Sequence, residues 1–246
     1  MEKMVEIFNI ASQNETYLKE NKYPGRGIII GATPSEKHYV QIYWIMGRSK
    51  NSRNRLFIME NDFIKTEIFD EKIEGDRSLI IYYPIKSINN YHIISNGDQT
   101  ETIYDFINNN KTFKNALDTR EFEPDPPNYT PRISGFIDLR SENSNYGLSV
   151  LKTIDHNKEF CQRNYYYYTK FIKGFGHCVH TYDHDDNPIP SFSKEPYLIK
   201  LHENIDDNIK YIWDLLNIDN KVSVLVKYIS KEINQTMIKI KNRNNR

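Results

Sequence analysis

At Tyr23-Pro24-Gly25-Arg26-Gly27-Ile28-Ile29-Ile30 the chain changes character. Upstream, Met4, Ile7, Phe8 and Ala11 recur at helical spacing, which predicts a short amphipathic helix ahead of the Pro-Gly break. Downstream come β-branched and aromatic runs: Ile28 to Ile30, Tyr39 to Met46, Leu56 to Met59, Ile64 to Phe69 and Ser78 to Tyr83 read as consecutive strands. Residues 1–22 are therefore a helical extension on a β-rich body.

A further strand is expected at Tyr91 to Ile94. After the turn Ser95-Asn96-Gly97, Asp98-Gln99-Thr100-Glu101 has capping-box form and predicts a helix with Ile103, Phe106 and Ile107 on its apolar face. A second helix is expected at Phe113 to Leu117, and the proline-rich stretch from Glu123 to Asn128 must be extended or turning. Strands are again expected at Ile133 to Leu139, Leu148 to Ile154, Tyr165 to Phe171 and Gly176 to Tyr182. A helix over Ile205 to Leu216 then precedes a closing hairpin formed by the Val222–Val226 and Ile238–Ile240 alternations. This order predicts an α+β fold in which two sheets lie between helical layers, built as a single domain over 1–246.

The composition excludes several functions. Thirty-three basic residues balance thirty-three acidic ones, so no overall field draws the protein to nucleic acid or an anionic membrane. The first twenty residues lack the apolar core of a signal peptide, and no apolar run approaches membrane-spanning length. With only Cys161 and Cys178, both read as packing residues, a reducing cytoplasm is the expected compartment.

Local chemistry is richer. The loop Gly47-Arg48-Ser49-Lys50-Asn51-Ser52-Arg53-Asn54-Arg55 carries four positive charges in nine residues, a density expected to need an anion among them. His177 and His180 suggest a metal site, but on a strand they point to opposite faces, so no metal is expected. The run Asp183 to Pro188 lacks the glycine and terminal glutamate of a calcium loop and reads as a solvated turn.

Four segments together resemble the archaeal-type, single-function inosine monophosphate (IMP) cyclohydrolases: Tyr23 to Gly27; Gly47-Arg48-Ser49 through Asn54-Arg55; Ser95 to Thr100; and Glu123-Pro124-Asp125 through Arg132-Ile133. The resemblance implies an Ntn-hydrolase-like, four-layer αββα sandwich, and such an edge-rich sandwich is expected to associate with copies of itself. It also implies closure of a formamido-carboxamide ribonucleotide to IMP, the last step of de novo purine biosynthesis, with a purine ribonucleotide as partner and no cofactor. Under it, Glu123 would transfer the proton, and Arg55 and Tyr82 would stabilise the formyl oxygen. Tyr23, Arg26, Arg48, Asn54, Asn96, Gly97 and Arg132 would bind substrate, with the Ser95-Asn96-Gly97 turn as a second anion seat. Relatives tend to have Asn where this chain has Tyr83, which leaves room for two rivals. One is an enzyme acting on another carboxamide ribonucleotide; the other is an inactive purine-nucleotide-binding module.

Overall fold

The computed structural model describes the chain apart from residues 1, 61–62, 74–76, 78, 141–144, 156, 234 and 245–246, and apart from the side chains of residues 2 and 3. It begins with α1 (Glu2–Glu20), β1 (Gly27–Ala32), β2 (His38–Met46), β3 (Arg55–Glu60) and β4 (Phe63–Ile68). Then come β5 (Ile85–Ile88), β6 (Tyr91–Ser95), α2 (Gln99–Asn108), α3 (Phe113–Leu117), β7 (Arg132–Asp138) and β8 (Asn145–Ile154). The chain closes with β9 (Asn157–Tyr168), β10 (Phe175–His180), β11 (Tyr197–Lys200), α4 (Ile205–Leu215), β12 (Lys221–Ser230) and β13 (Thr236–Asn242).

The strands form a six-stranded sheet, β11-β10-β1-β2-β12-β13, a five-stranded sheet, β5-β6-β7-β8-β9, and the hairpin β3-β4. All pairings among these strands are antiparallel, which makes the fold α+β. Side-chain alternation sorts the apolar residues into three clusters. Between the sheets, Ile28, Ile30, Tyr43 and Ile45 meet Ile94, Ile133, Ile137, Leu148 and Val150. On the outer face of the larger sheet, Ile29, Ile42, Trp44 and Val224 pack under Leu18 of α1 and Ile205, Ile209 and Ile212 of α4. On the outer face of the smaller sheet, Tyr91, Ile93, Phe136 and Leu151 pack under α2 and α3. Because β2 and β12 are covered on both sides they are buried along nearly their whole length, whereas on the edge strand β13 exposed and half-buried residues alternate over most of its length.

Several expectations need correction. The predicted strand from Ser78 to Tyr83 does not form: residue 78 lies outside the described residues and 79–83 run as turn and irregular chain, although the Tyr82 carbonyl accepts from Thr66 N at 2.9 Å. β5 and β11, each only four residues long, were not foreseen. α1 is longer than predicted, and of its expected apolar face Ala11 is buried while Met4 and Phe8 are half exposed. Asp98 does precede α2, but its side chain makes no cap, being drawn away to Arg132 and Arg120. The reciprocal capping box belongs instead to α3, where Thr112 and Asn115 bond each other's backbone N–H. No helix among the described residues is long and apolar enough to cross a membrane.

Candidate active site

The turns at one end of the larger sheet enclose a cleft of about 330 Å³ lined by Tyr23, Arg26, Arg48, Ser49, Ser52, Arg55, Asp125, Thr130 and Tyr182, among others. A recess of about 210 Å³ shares Arg26, Ser49, Ser52, Arg55 and Asp125 with it and adds Glu123, Leu79 and Ile80. Tyr23 and Arg26 precede β1, the cationic loop joins β2 to β3, Glu123 to Thr130 precede β7, and Tyr182 follows β10. Chain crossings of the sheet therefore bring together residues far apart in sequence.

Gly25 makes the first turn possible. Its φ is +74°, and a Cβ there would lie 2.1 Å from Thr181 Oγ1 and 2.5 Å from the Tyr182 ring. That close approach lets Tyr23 stack on Tyr182 at 5.7 Å between ring centroids. The Arg48 guanidinium covers the Tyr23 ring at 5.1 Å. Burial raises the Tyr23 phenol above its ordinary pKa, against the pull of Arg26, Arg55 and Arg48.

At the floor, Arg26 donates from Nη1 and Nη2 to the two carboxylate oxygens of Glu123 at 2.9 and 2.8 Å, and from Nη1 to the Asn96 carbonyl at 3.1 Å. Only 2% of Glu123 is exposed, and its backbone N–H donates to the Thr130 carbonyl at 2.8 Å, closing the proline-rich loop. Burial raises the Glu123 carboxyl above the usual range, with Arg26 opposing it, while Glu123 holds Arg26 firmly protonated. Asp125 secures the same loop by accepting from Thr130 N at 2.6 Å and from Thr130 Oγ1, which also contacts the Tyr182 hydroxyl at 2.6 Å.

Two of the loop's four cations find partners within the protein. Arg53 turns inward to the Gly47 carbonyl (2.8 Å) and Asn220 Oδ1 (2.9 Å), and Arg48 pairs with Asp185 at 2.5 Å. Arg55 differs: among the described residues its guanidinium has no hydrogen bond or ion pair, and its Nε is buried without a partner. An unpaired cation at a cleft wall is a seat for negative charge.

Of the residues singled out from sequence, the structure thus brings Tyr23, Arg26, Arg48, Arg55 and Glu123 to one cleft. Asn54 lies apart, its amide exchanging hydrogen bonds with the backbone of Asp70 at 2.8 and 2.7 Å. Asn96, Gly97 and Arg132 form the layer behind the floor. Asn96 Oδ1 accepts from Ile133 N at 2.9 Å, and Arg132 donates to Asp98 and Gln99 at 2.6 and 2.7 Å. The turn at Ser95 to Gly97 is buried and filled by its own side chains, so it offers no anion seat. Tyr82 is buried with its hydroxyl 2.6 Å from that of Tyr43, near enough to Arg26 to act on its charge but outside both recesses. Tyr83 packs edge-on against Phe63 under Lys86, away from the cleft. His177 and His180 do face opposite ways, one toward Tyr146 and Tyr168, the other toward Phe192 and Tyr197.

Sequence reasoning missed Ser49, Ser52, Asp125, Thr130 and Tyr182 as lining residues. Asp125 and Thr130 sit in a recognised segment and could have been found there, whereas nothing local marks Tyr182.

α1 lies on the far side of the 181–193 loop and braces it: Tyr17 Oη and Asn21 Nδ2 both donate to the Asp183 carbonyl, at 3.0 and 2.8 Å. That loop carries Asp185, the partner of Arg48. Compared with known proteins, residues 23–233 match the family described as IMP cyclohydrolase-like protein. No curated protein matches the chain.

Proposed function

Starting from the fact that this chain belongs to the IMP cyclohydrolase-like protein family, we propose that it closes 5-formamidoimidazole-4-carboxamide ribonucleotide to IMP with loss of water. We read its stack of helices and sheets as the Ntn-hydrolase-like αββα sandwich, working in the cytoplasm as a homo-oligomer. The strand β1 opens on Gly27, which carries no side-chain nucleophile, so the reading uses none there.

The observation that carries the proposal is the buried Arg26–Glu123 pair lining the same recess as the unpartnered Arg55. Both reactants are on one molecule, so proximity is built into the substrate and the protein must hold a planar rotamer, balance charge and move protons. In the proposed step the carboxamide nitrogen bonds to the formyl carbon. Glu123 accepts the nitrogen proton, and Arg55 faces the negative charge gathering on the formyl oxygen. That oxygen then leaves as water, taking up protons, and the ring C=N bond forms.

Arg26 keeps Glu123 aimed rather than gripping phosphate, because both ends of its guanidinium fork are occupied. Arg48 at the mouth takes the phosphate, exchanging Asp185 for it, and the stacked Tyr23 and Tyr182 offer an aromatic wall. Tyr83 packs on Phe63 and is not among the residues that line the cleft or its recess, which favours this substrate over a different carboxamide ribonucleotide. The test is to incubate purified protein with the formamido nucleotide and follow IMP by absorbance. Binding without turnover would identify an inactive module instead.

A further inference from the structure

A second polar cluster lies apart from the cleft, where the edge strand β5 meets the larger sheet. Ser87 of β5 is paired in register with His92 of β6, and Lys227 of β12 reaches them from the facing sheet. Lys227 Nζ is 2.8 Å from Ser87 Oγ and 3.1 Å from His92 Nδ1, and Ser87 Oγ is 2.9 Å from the same His92 nitrogen. Lys227 and His92 are buried, at 3% and 4% exposure, while Ser87 is exposed. An exposed serine residue thus turns its hydroxyl, part-buried, to a buried amine.

No carboxylate pairs with Lys227 among the described residues, which is unusual for a buried lysine. Burial alone lowers its pKa to about 7, and burial together with Lys227 takes that of His92 down to about 3. His92 is therefore neutral, and its Nδ1 can accept an N–H from the amine. Nζ donates to Ser87 Oγ when protonated, and in the neutral amine its lone pair can turn to the serine hydroxyl. Gln41, beside Lys227 in register, donates from Nε2 to the His92 carbonyl at 3.1 Å and so helps fix the imidazole. Neighbouring Lys86 points to the other face of β5, where it meets Glu101 at 2.6 Å, so its charge is turned away from the cluster. An exposed serine has no structural need of a buried, unpaired lysine, whose burial costs stability.

We propose that Ser87 and Lys227 form a serine–lysine dyad that accepts acyl groups from unhindered carboxylic esters, with His92 as a positioning residue. Lys227 Nζ takes the Ser87 proton as Oγ bonds to the acyl carbon. The ester C–O bond breaks, and the lysine proton passes to the departing oxygen. Water then attacks the acyl-serine while Lys227 takes its proton and returns it to Ser87 Oγ. A lysine ammonium this acidic suits leaving oxygens of comparable acidity, so aryl esters are the favoured class.

The experiment uses the full chain with p-nitrophenyl acetate and, separately, a fluorophosphonate probe, locating adducts by peptide mass spectrometry. A modification on Ser87 is expected, together with p-nitrophenol release that rises with pH through about 7 as Lys227 loses its proton. Ser87→Ala, a change at an exposed position, should abolish both, and Lys227→Met should slow both by about 10²-fold or more while circular dichroism stays native. His92→Ala should slow acylation less, and its pH profile should shift. Absence of any adduct on Ser87 in the folded wild-type protein overturns the dyad. So does an adduct that forms as fast in Lys227→Met, because the serine would then be merely exposed.

Discussion

Arg26 holds both carboxylate oxygens of Glu123 in a two-pronged grip, 97 residues away along the chain. The pair is almost wholly shielded from water, so removing either member strands the other. Arg26→Ala should lower stability by about 3–5 kcal/mol, read from urea unfolding, because it leaves a buried carboxylate unpaired. A loss below about 1 kcal/mol would mean that Glu123 does not depend on this partner.

For Glu123 itself, exchange to Gln keeps the shape and removes the basicity. Turnover of the formamido nucleotide should fall by about 10²-fold or more while IMP still binds. Since the base must be ionised and burial raises its pKa, activity should be present above that raised pKa. It should fall away as pH drops through a value above the ordinary carboxylate range. An acid limb at or below that range would assign the proton transfer to another group.

The two cleft arginines should separate kinetically. Arg48 sits at the mouth and already trades with Asp185, so Arg48→Ala should mainly raise KM. Arg55→Ala, which removes the unpartnered cation from the inner recess, should mainly lower kcat. A pure KM effect at Arg55 would make it a second phosphate clamp.

Asp185→Asn tests the same trade from the other side. Without its acidic competitor Arg48 is freer to meet phosphate, so KM should fall by up to several-fold at low salt, with kcat unchanged. A raised KM would mean that Asp185 presents Arg48 instead of occupying it.

Gly97 supports the floor from behind. A Cβ there would lie 2.7 Å from Gln99 Oε1, 2.8 Å from Arg132 Nη1 and 3.5 Å from Glu123 Oε1. Gly97→Ala should cost roughly 1–3 kcal/mol in a denaturation assay and lower kcat more than binding. Wild-type stability with wild-type kcat would show that Gln99 and Arg132 move aside freely.

What could be read from sequence follows the range of the interactions involved. α3 and the strands β1, β2, β8 and β12 are fixed by apolar pattern over a few residues, and they appear where that pattern puts them. Local signals failed where distant partners competed: Asp98 has the residues of a cap, but Arg132 and Arg120 take its carboxylate. Within the cationic loop the local pattern does not say which charge stays free: Arg53 is engaged by Asn220 and Arg48 by Asp185, each over a hundred residues away, and Arg55 is left without a partner among the described residues. Tyr23 was visible within its segment, whereas its stacking partner Tyr182 was not.

Because the cleft draws on residues from Tyr23 to Tyr182, it forms only when the turns that carry them are brought together by the folded sheets. Under the proposed function, affinity for a nucleotide is therefore a property of the native state, and occupancy is linked to the global folding equilibrium. A ligand held at a hundred times its dissociation constant would add about 2.7 kcal/mol to the unfolding free energy. Melting temperature then becomes a measure of which nucleotides enter the cleft, whether or not any of them is turned over.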